Sequence, residues 1–148
     1  MRQTIITDMI TRLEAITTVN SYNTNIGNNI FEWREYPTDT SNYPCLIIKD
    51  VNENFESMGH HVHDHTLTIE WILYTSGSSC QSDMRKAISD VYSVIGDDLS
   101  WNKVCYDTEI ESMETSKEHQ ESEIMSTIIT LVLKYKTPAW DNTKVYEV

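Results

Sequence analysis

Glycine and cysteine are scarce in this chain of 148 residues, and each shortage narrows the range of possible functions. Four glycines leave almost no room for the kind of Gly-rich loop that cradles phosphate groups. Three widely spaced cysteines without a C-x-x-C pair argue against a disulfide framework and favour reduced thiols. No G-x-S-x-G or H-E-x-x-H motif is present either. The sequence therefore predicts a protein that is not an enzyme and holds no cofactor.

Positive charge and long apolar runs are also in short supply. Eleven Lys and Arg stand against 23 Asp and Glu, a net charge of −12, so the basic patch that nucleic-acid binding requires is missing. No apolar run approaches the roughly 20 residues that span a bilayer. Asp8 and Glu14 interrupt the apolar pattern at the N-terminus, which is atypical of a signal peptide. These features predict one domain, residues 1–148, made in the cytoplasm and without a membrane partner.

The spacing of apolar residues predicts two helices and five strands. Helical spacing over 3–17 and 82–95 predicts two amphipathic helices, the second beginning at Ser82 and ending at Gly96. Alternating or continuous apolar runs predict strands at 30–36, 45–48, 61–75, 104–113 and 124–137. Polar segments predict a loop or the tip of a hairpin at 53–60, a loop at 114–123 and a loose arm at 141–148. We expect an α+β fold in the order α-β-β-β-α-β-β, with both helices packed on one face of a mostly antiparallel or mixed sheet that contains a long hairpin.

Four histidines crowd into one short stretch at the start of the third predicted strand. On a strand, His61, His63 and His65 project to one face at steps of about 7 Å. Imidazoles suit zinc, nickel or copper, but this spacing is too wide for all three to reach one ion. A pair could bind a metal with help from Asp64, from His119 or from a neighbouring subunit. The favoured interpretation is a solvated strand end, and a metal-dependent hydrolase remains an alternative.

The most acidic stretch covers residues 107–123, where seven carboxylates accompany a single lysine, Lys117. A charge run of this kind is typical of a solvated hairpin. The other interpretation is a wall that must lie near DNA without binding it. Five carboxylates are then candidates for lining a DNA channel: Asp107, Glu109, Glu111, Glu114 and Glu118.

The order and content of several short motifs extend over almost the whole chain. They are Met9, Arg12, Leu13 and Ile16 in the first helix, a strand around Trp33, the strand beginning Pro44-Cys45-Leu46-Ile47-Ile48, the pattern His65, Leu67, Ile69, Trp71, the pair Asp90-Val91, and the closing Tyr135-Lys136-Thr137-Pro138-Ala139-Trp140. Taken together, they make the chain resemble the tail terminator (tail completion) proteins of long-tailed bacteriophages.

This resemblance implies a virion structural protein that forms a ring, usually a hexamer, at the head-proximal end of the tail tube. The ring would stop tube polymerisation and join the tail to the head connector, and DNA would pass through its bore without specific binding. The family has no catalytic residues. Two further alternatives stay open: another neck protein, such as a head-closure or adaptor protein, and an acidic inhibitor that mimics DNA.

Overall fold

The computed structural model describes residues 1–34, 43–119, 123–141 and 143–146, without the side chains of residues 118 and 119. These residues form two α-helices and a five-stranded mixed sheet, so the prediction of an α+β fold is confirmed. The helices are α1 (Arg2–Glu14) and α2 (Cys80–Asp97), and the strands are β1 (Ile30–Glu32), β2 (Cys45–Ser57), β3 (Val62–Ser76), β4 (Cys105–His119) and β5 (Glu123–Pro138). Two short 3₁₀ turns, Thr18–Asn20 and Ile26–Asn28, follow α1.

The sheet has the strand order β1-β2-β3-β5-β4. β1 runs parallel to β2, and the other three pairings are antiparallel. β3 and β5 are paired along their whole lengths, from Val62 opposite Pro138 to Ser76 opposite Ile124. This long pair forms the rigid centre of the sheet, and β2 and β4 extend it on either side.

Two predicted loops are too long, because the strands continue into them. β2 runs on to Ser57, and β4 continues from residue 114 to His119. Both segments are polar, with Glu, Asn and Ser in 53–57 and Glu, Thr, Ser and Lys in 114–119, a composition that is typical of loops. In β4, hydroxyl pairs across the ladder suit an extended ribbon: Thr115 lies 3.0 Å from Thr127, and Ser116 lies 3.0 Å from Ser126.

Several predicted boundaries also shift. β1 ends at Glu32, and Trp33 follows with a φ of 57°, while residues 35 and 36 of the predicted strand lie outside the described part. α1 ends at Glu14 rather than at residue 17. α2 begins at Cys80 and passes through Gly96, which was expected to stop it.

One hydrophobic core joins both helices to the sheet. Alternate residues of the two central strands are buried in it, in agreement with the predicted period of two. The first four residues of β2 are buried as well, as their continuous apolar run predicts. The main contributors to the core are Ile5, Met9 and Leu13 from α1, Met84, Val91 and Val94 from α2, Leu67, Ile69, Trp71 and Leu73 from β3, and Ile129, Leu131, Leu133 and Tyr135 from β5.

Arg12 fastens α1 to the end of α2. Its guanidinium donates hydrogen bonds to the backbone carbonyls of Val94 and Asp98, the latter at 2.7 Å. The same group lies 4.2 Å above the ring of Trp101. Carbonyls in the last turn of a helix have no partner within the helix, so Arg12 satisfies them and also complements the helix dipole.

The described part of the C-terminal arm returns to the sheet. The Tyr146 N–H donates a hydrogen bond of 2.9 Å to the carbonyl of Lys136, and Val145 packs against the core. Neither helix in the described ranges has the length and apolar character needed to cross a bilayer.

Candidate functional site

The acidic segment forms β4, which lies at one edge of the sheet. Odd-numbered residues of β5 face the core, so a β4 residue opposite an even-numbered β5 residue points to the other face. Three of the five channel candidates do so: Asp107 opposite Lys134, Glu109 opposite Val132 and Glu114 opposite Ile128. The backbone of Glu118 lies opposite Ile124, and its side chain lies outside the described part.

A register shift explains how odd-numbered and even-numbered carboxylates share this face. Between Ile110 and Ser112 the ladder slips, and Glu111 is left as the extra residue of a bulge. The slip reverses the alternation, which moves Glu114 to the same side as Asp107. Glu111 itself is exposed and has no partner residue in the β4–β5 register, so its candidacy as a lining residue stays a prediction.

Lysines accompany the row of β4 carboxylates at one of its ends. At its start, Lys134 lies opposite Asp107, and on the neighbouring strand pair Lys136 lies opposite Asp64. The Tyr106 hydroxyl donates to Asp64 at 2.7 Å. Glu109 and Glu114, in the middle part of β4, are exposed and lie opposite Val132 and Ile128 rather than opposite a lysine.

The histidine cluster does not form the predicted strand end. His60 and His61 lie in the β2–β3 turn with φ values of 51° and 59°, so His61 does not share a strand face with His63. His65 is only 7% exposed. The prediction that these histidines are solvated is wrong for His65, because the lengthened β2 and Tyr135 of β5 enclose its ring.

His65 belongs to a network of polar side chains. Its Nε2 lies 2.7 Å from the Thr137 hydroxyl, and its ring stacks on that of Tyr135 with 4.6 Å between centroids. Its Nδ1 lies 3.7 Å from Glu53 Oε1, which also accepts a hydrogen bond from the Tyr135 hydroxyl. Arg2 Nη1 is 3.7 Å from the other oxygen of Glu53. The network ties the start of α1 to the three central strands.

The pKa shifts in this network favour neutral rings. Burial lowers the pKa of His65, and the nearby Glu53 carboxylate offsets this only in part. Burial and the hydrogen bond to Glu53 raise the pKa of Tyr135. Asp50 accepts a hydrogen bond from the same Arg2 side chain. Burial opposes ionisation of Asp50, but the hydrogen bonds from Trp33 and Arg2 outweigh burial and lower the pKa of Asp50. Among the described residues His65 Nδ1 has no hydrogen-bond partner, while His65 Nε2 and the Tyr135 hydroxyl are hydrogen-bonded within the network, which is the arrangement of a structural network.

The three histidines suggested as metal ligands are not brought together. Within the described ranges, no group of three His, Cys, Asp or Glu side chains is arranged to hold a metal ion. Asp64, considered as a helper, is bonded to Tyr106, and the side chain of His119 lies outside the described part.

Sequence reasoning missed an open pocket beside the histidines. It has a volume of about 290 Å³, and its lining includes Phe55, His63, His65, Thr137, Trp140 and Asp141. An available signal was Phe55, a large apolar residue in an otherwise polar stretch. No protein-family model matches this sequence, and no curated protein matches it.

Proposed function

We propose that this protein is a tail terminator subunit of a long-tailed bacteriophage. In this proposal it forms a closed ring, a hexamer, on the head-proximal end of the tail tube. The ring stops tube polymerisation and offers the surface to which the head connector attaches. The protein is made in the host cytoplasm, becomes part of the virion and catalyses no reaction.

The observation that carries the proposal is the row of carboxylates on β4. Asp107 and Glu109 share the face of the sheet that points away from the core, and the bulge at Glu111 brings Glu114 onto the same face. Like charges repel phosphates, so a bore lined by such rows lets DNA slide without binding it.

The arrangement of the fold supports the same use. We expect both helices to cover one face of the sheet, with the elements in the order α-β-β-β-α-β-β. In support of this, both helices and alternate residues of β3 and β5 share one core, and β4 forms an edge of the sheet. A ring uses heterologous contacts that close by rotation, so each subunit needs two different contact surfaces.

Electrostatics predicts how such a ring responds to salt. Bringing many carboxylates around one bore costs free energy, and salt screens this cost over a Debye length of about 8 Å at physiological ionic strength. We therefore expect assembly to strengthen as salt is raised. Light scattering coupled to size exclusion, at several salt concentrations and with or without the tail tube protein, measures the mass directly.

A charge variant makes the test specific to the row. Glu109→Gln combined with Glu114→Gln should assemble at lower salt than the natural sequence, because fewer carboxylates must be screened. Glu14→Gln is the matched control, since Glu14 is exposed at the end of α1 and away from the row. Equal responses of the two variants would contradict the placement of β4 at the bore.

The alternatives give different results in the same experiments. A head-closure or adaptor protein would bind the head connector without capping the tube. A DNA mimic would remain monomeric and bind a DNA-binding protein through the same carboxylates. A monomer at every salt concentration, including in mixtures with the tail tube, would contradict the terminator proposal.

A further inference from the structure

The open pocket beside His65 has aromatic walls that are exposed to solvent. Phe55 is 61% exposed and Trp140 is 93% exposed, although both are large apolar residues. His63 lies between them, with centroid distances of 5.0 Å to Phe55 and 5.9 Å to Trp140. Clusters of exposed apolar side chains are uncommon on the surfaces of soluble proteins, and they often mark sites of interaction.

The electrostatics of the pocket favour a cation. Aromatic rings present negative faces, and Trp presents the strongest. Asp141 adds a carboxylate to the lining, and hydrogen bonds from Thr143 lower its pKa, so it is charged at neutral pH. Its present ion-pair partner is Lys144, whose Nζ lies 3.7 Å away on a largely exposed side chain that an incoming cation can displace.

The flat aromatic walls of the pocket favour a guanidinium over an ammonium. A volume of about 290 Å³ is large enough to admit a guanidinium together with part of its aliphatic stem. A planar guanidinium stacks on rings and forms forked hydrogen bonds with a carboxylate. The chain already uses this contact twice, with Arg12 at 4.2 Å from Trp101 and Arg34 at 3.9 Å from Phe31.

We propose that this pocket binds an arginine side chain in an extended, basic segment of a partner protein. The net charge of −12 attracts such a segment from a distance, and the pocket fixes one arginine at close range. The inference does not depend on the proposed ring, because the pocket is complete within one subunit.

The probe is a capped pentapeptide with one central arginine flanked by glycine and serine. Its matched control carries citrulline, which has nearly the same shape without the charge. We expect the arginine peptide to shift the indole N–H signal of Trp140 in a ¹⁵N-correlation spectrum in a saturable manner, and the citrulline peptide to leave it in place. Isothermal titration calorimetry with a peptide of three arginines gives the affinity.

Variants test whether the pocket itself is responsible. Trp140→Ala and Phe55→Leu should each weaken binding by about two- to fivefold, the loss expected for one cation–π contact at an exposed site. Asp141→Asn should weaken it as well. Tyr92→Ala removes an exposed aromatic ring from α2, outside the pocket, and should leave the affinity unchanged. Thermal melting confirms that each variant is folded.

Four outcomes would overturn the proposal. Equal binding of the citrulline peptide would show that the pocket does not recognise the positive charge of arginine. Equal affinity for free N-acetylarginine amide would assign it to a small cation. Self-association of the protein that Trp140→Ala abolishes would assign it to a second copy of this chain. Failure of both peptides to shift the Trp140 signal would show that the pocket does not bind an arginine side chain.

Discussion

The Asp90 carboxylate accepts two hydrogen bonds from Thr24, one from its backbone N–H at 2.9 Å and one from its hydroxyl at 2.7 Å. The other oxygen accepts from the backbone and side-chain nitrogens of Asn23, both at 3.1 Å. Asp90 is only 2% exposed and lies in the middle of α2. A single buried side chain therefore anchors the polar loop that follows α1 to the second helix.

Asp90→Ala should destabilise the protein by about 3 kcal/mol, because it leaves buried donors without their charged acceptor. Urea denaturation measures the change in the free energy of unfolding. Ser89→Ala, on the exposed side of the same helix, is the control and should change the free energy of unfolding by less than about 0.5 kcal/mol. A loss below about 1 kcal/mol for Asp90→Ala would mean that the loop is not held by this carboxylate.

Gly27 and Gly96 should respond in opposite directions to alanine. A Cβ on Gly27 would lie 2.6 Å from the Leu13 carbonyl oxygen and 2.7 Å from those of Glu14 and Ile16. These are backbone atoms at the end of α1, so Gly27→Ala should cost about 3 kcal/mol or more. A Cβ on Gly96, inside α2, meets nothing within 4 Å among the described residues, and Gly96→Ala should stabilise by about 0.5–1 kcal/mol.

Thermal melting of the two glycine variants side by side checks this pair. The expected result is a lower melting temperature for Gly27→Ala and a higher one for Gly96→Ala. A neutral Gly27→Ala would show that the loop can move away from α1, which contradicts the close approach described above.

His65 should make the stability depend on pH. Burial lowers the pKa of His65 below the value of 6.5 that it has when unfolded. Above pH 6.5 the His65 ring is neutral in both the folded and the unfolded state. As pH falls below 6.5 the unfolded state gains a proton before the folded state does, so stability decreases until the folded pKa is passed. Urea unfolding from about pH 5 to about pH 8 measures the slope.

His65→Phe keeps a ring against Tyr135 and removes the titrating group. It should flatten the loss of stability below pH 6.5, although it also loses the hydrogen bond to Thr137. His61→Ala is the control, because His61 lies in the exposed turn, and its slope should equal that of the natural sequence. Equal slopes for all three proteins would exclude His65 as the source.

Trp71 should tolerate phenylalanine far better than alanine. It is fully buried and packs edge-on against Trp101 with 5.9 Å between centroids, so Trp71→Ala should cost about 3–5 kcal/mol. Its indole N–H is buried without a hydrogen-bond partner among the described residues. Trp71→Phe removes that unsatisfied donor and should cost less than half as much. Trp140→Ala, at an exposed position, serves as the control in the same denaturation series.

The central strands could be predicted from the sequence because their alternation is local. A strand buried on one face shows its period of two in its own residues, and the odd-numbered positions from Leu67 to Leu73 and from Ile129 to Tyr135 are buried as predicted. The two amphipathic helices could be predicted for the same reason, although their ends shifted by a few residues. The α+β class and the net charge of −12 followed from the sequence alone.

Only the tertiary structure decided which acidic and aromatic side chains meet. The bulge at Glu111 exists only where β4 pairs with β5, and it alone determines that Glu114 joins the face of Asp107. The polar end of β4 is a strand because β5 supplies its hydrogen bonds, a partner that local composition does not reveal. The pocket between Phe55 and Trp140 brings together residues 85 positions apart in the chain, and such proximity depends on the packing of the whole sheet.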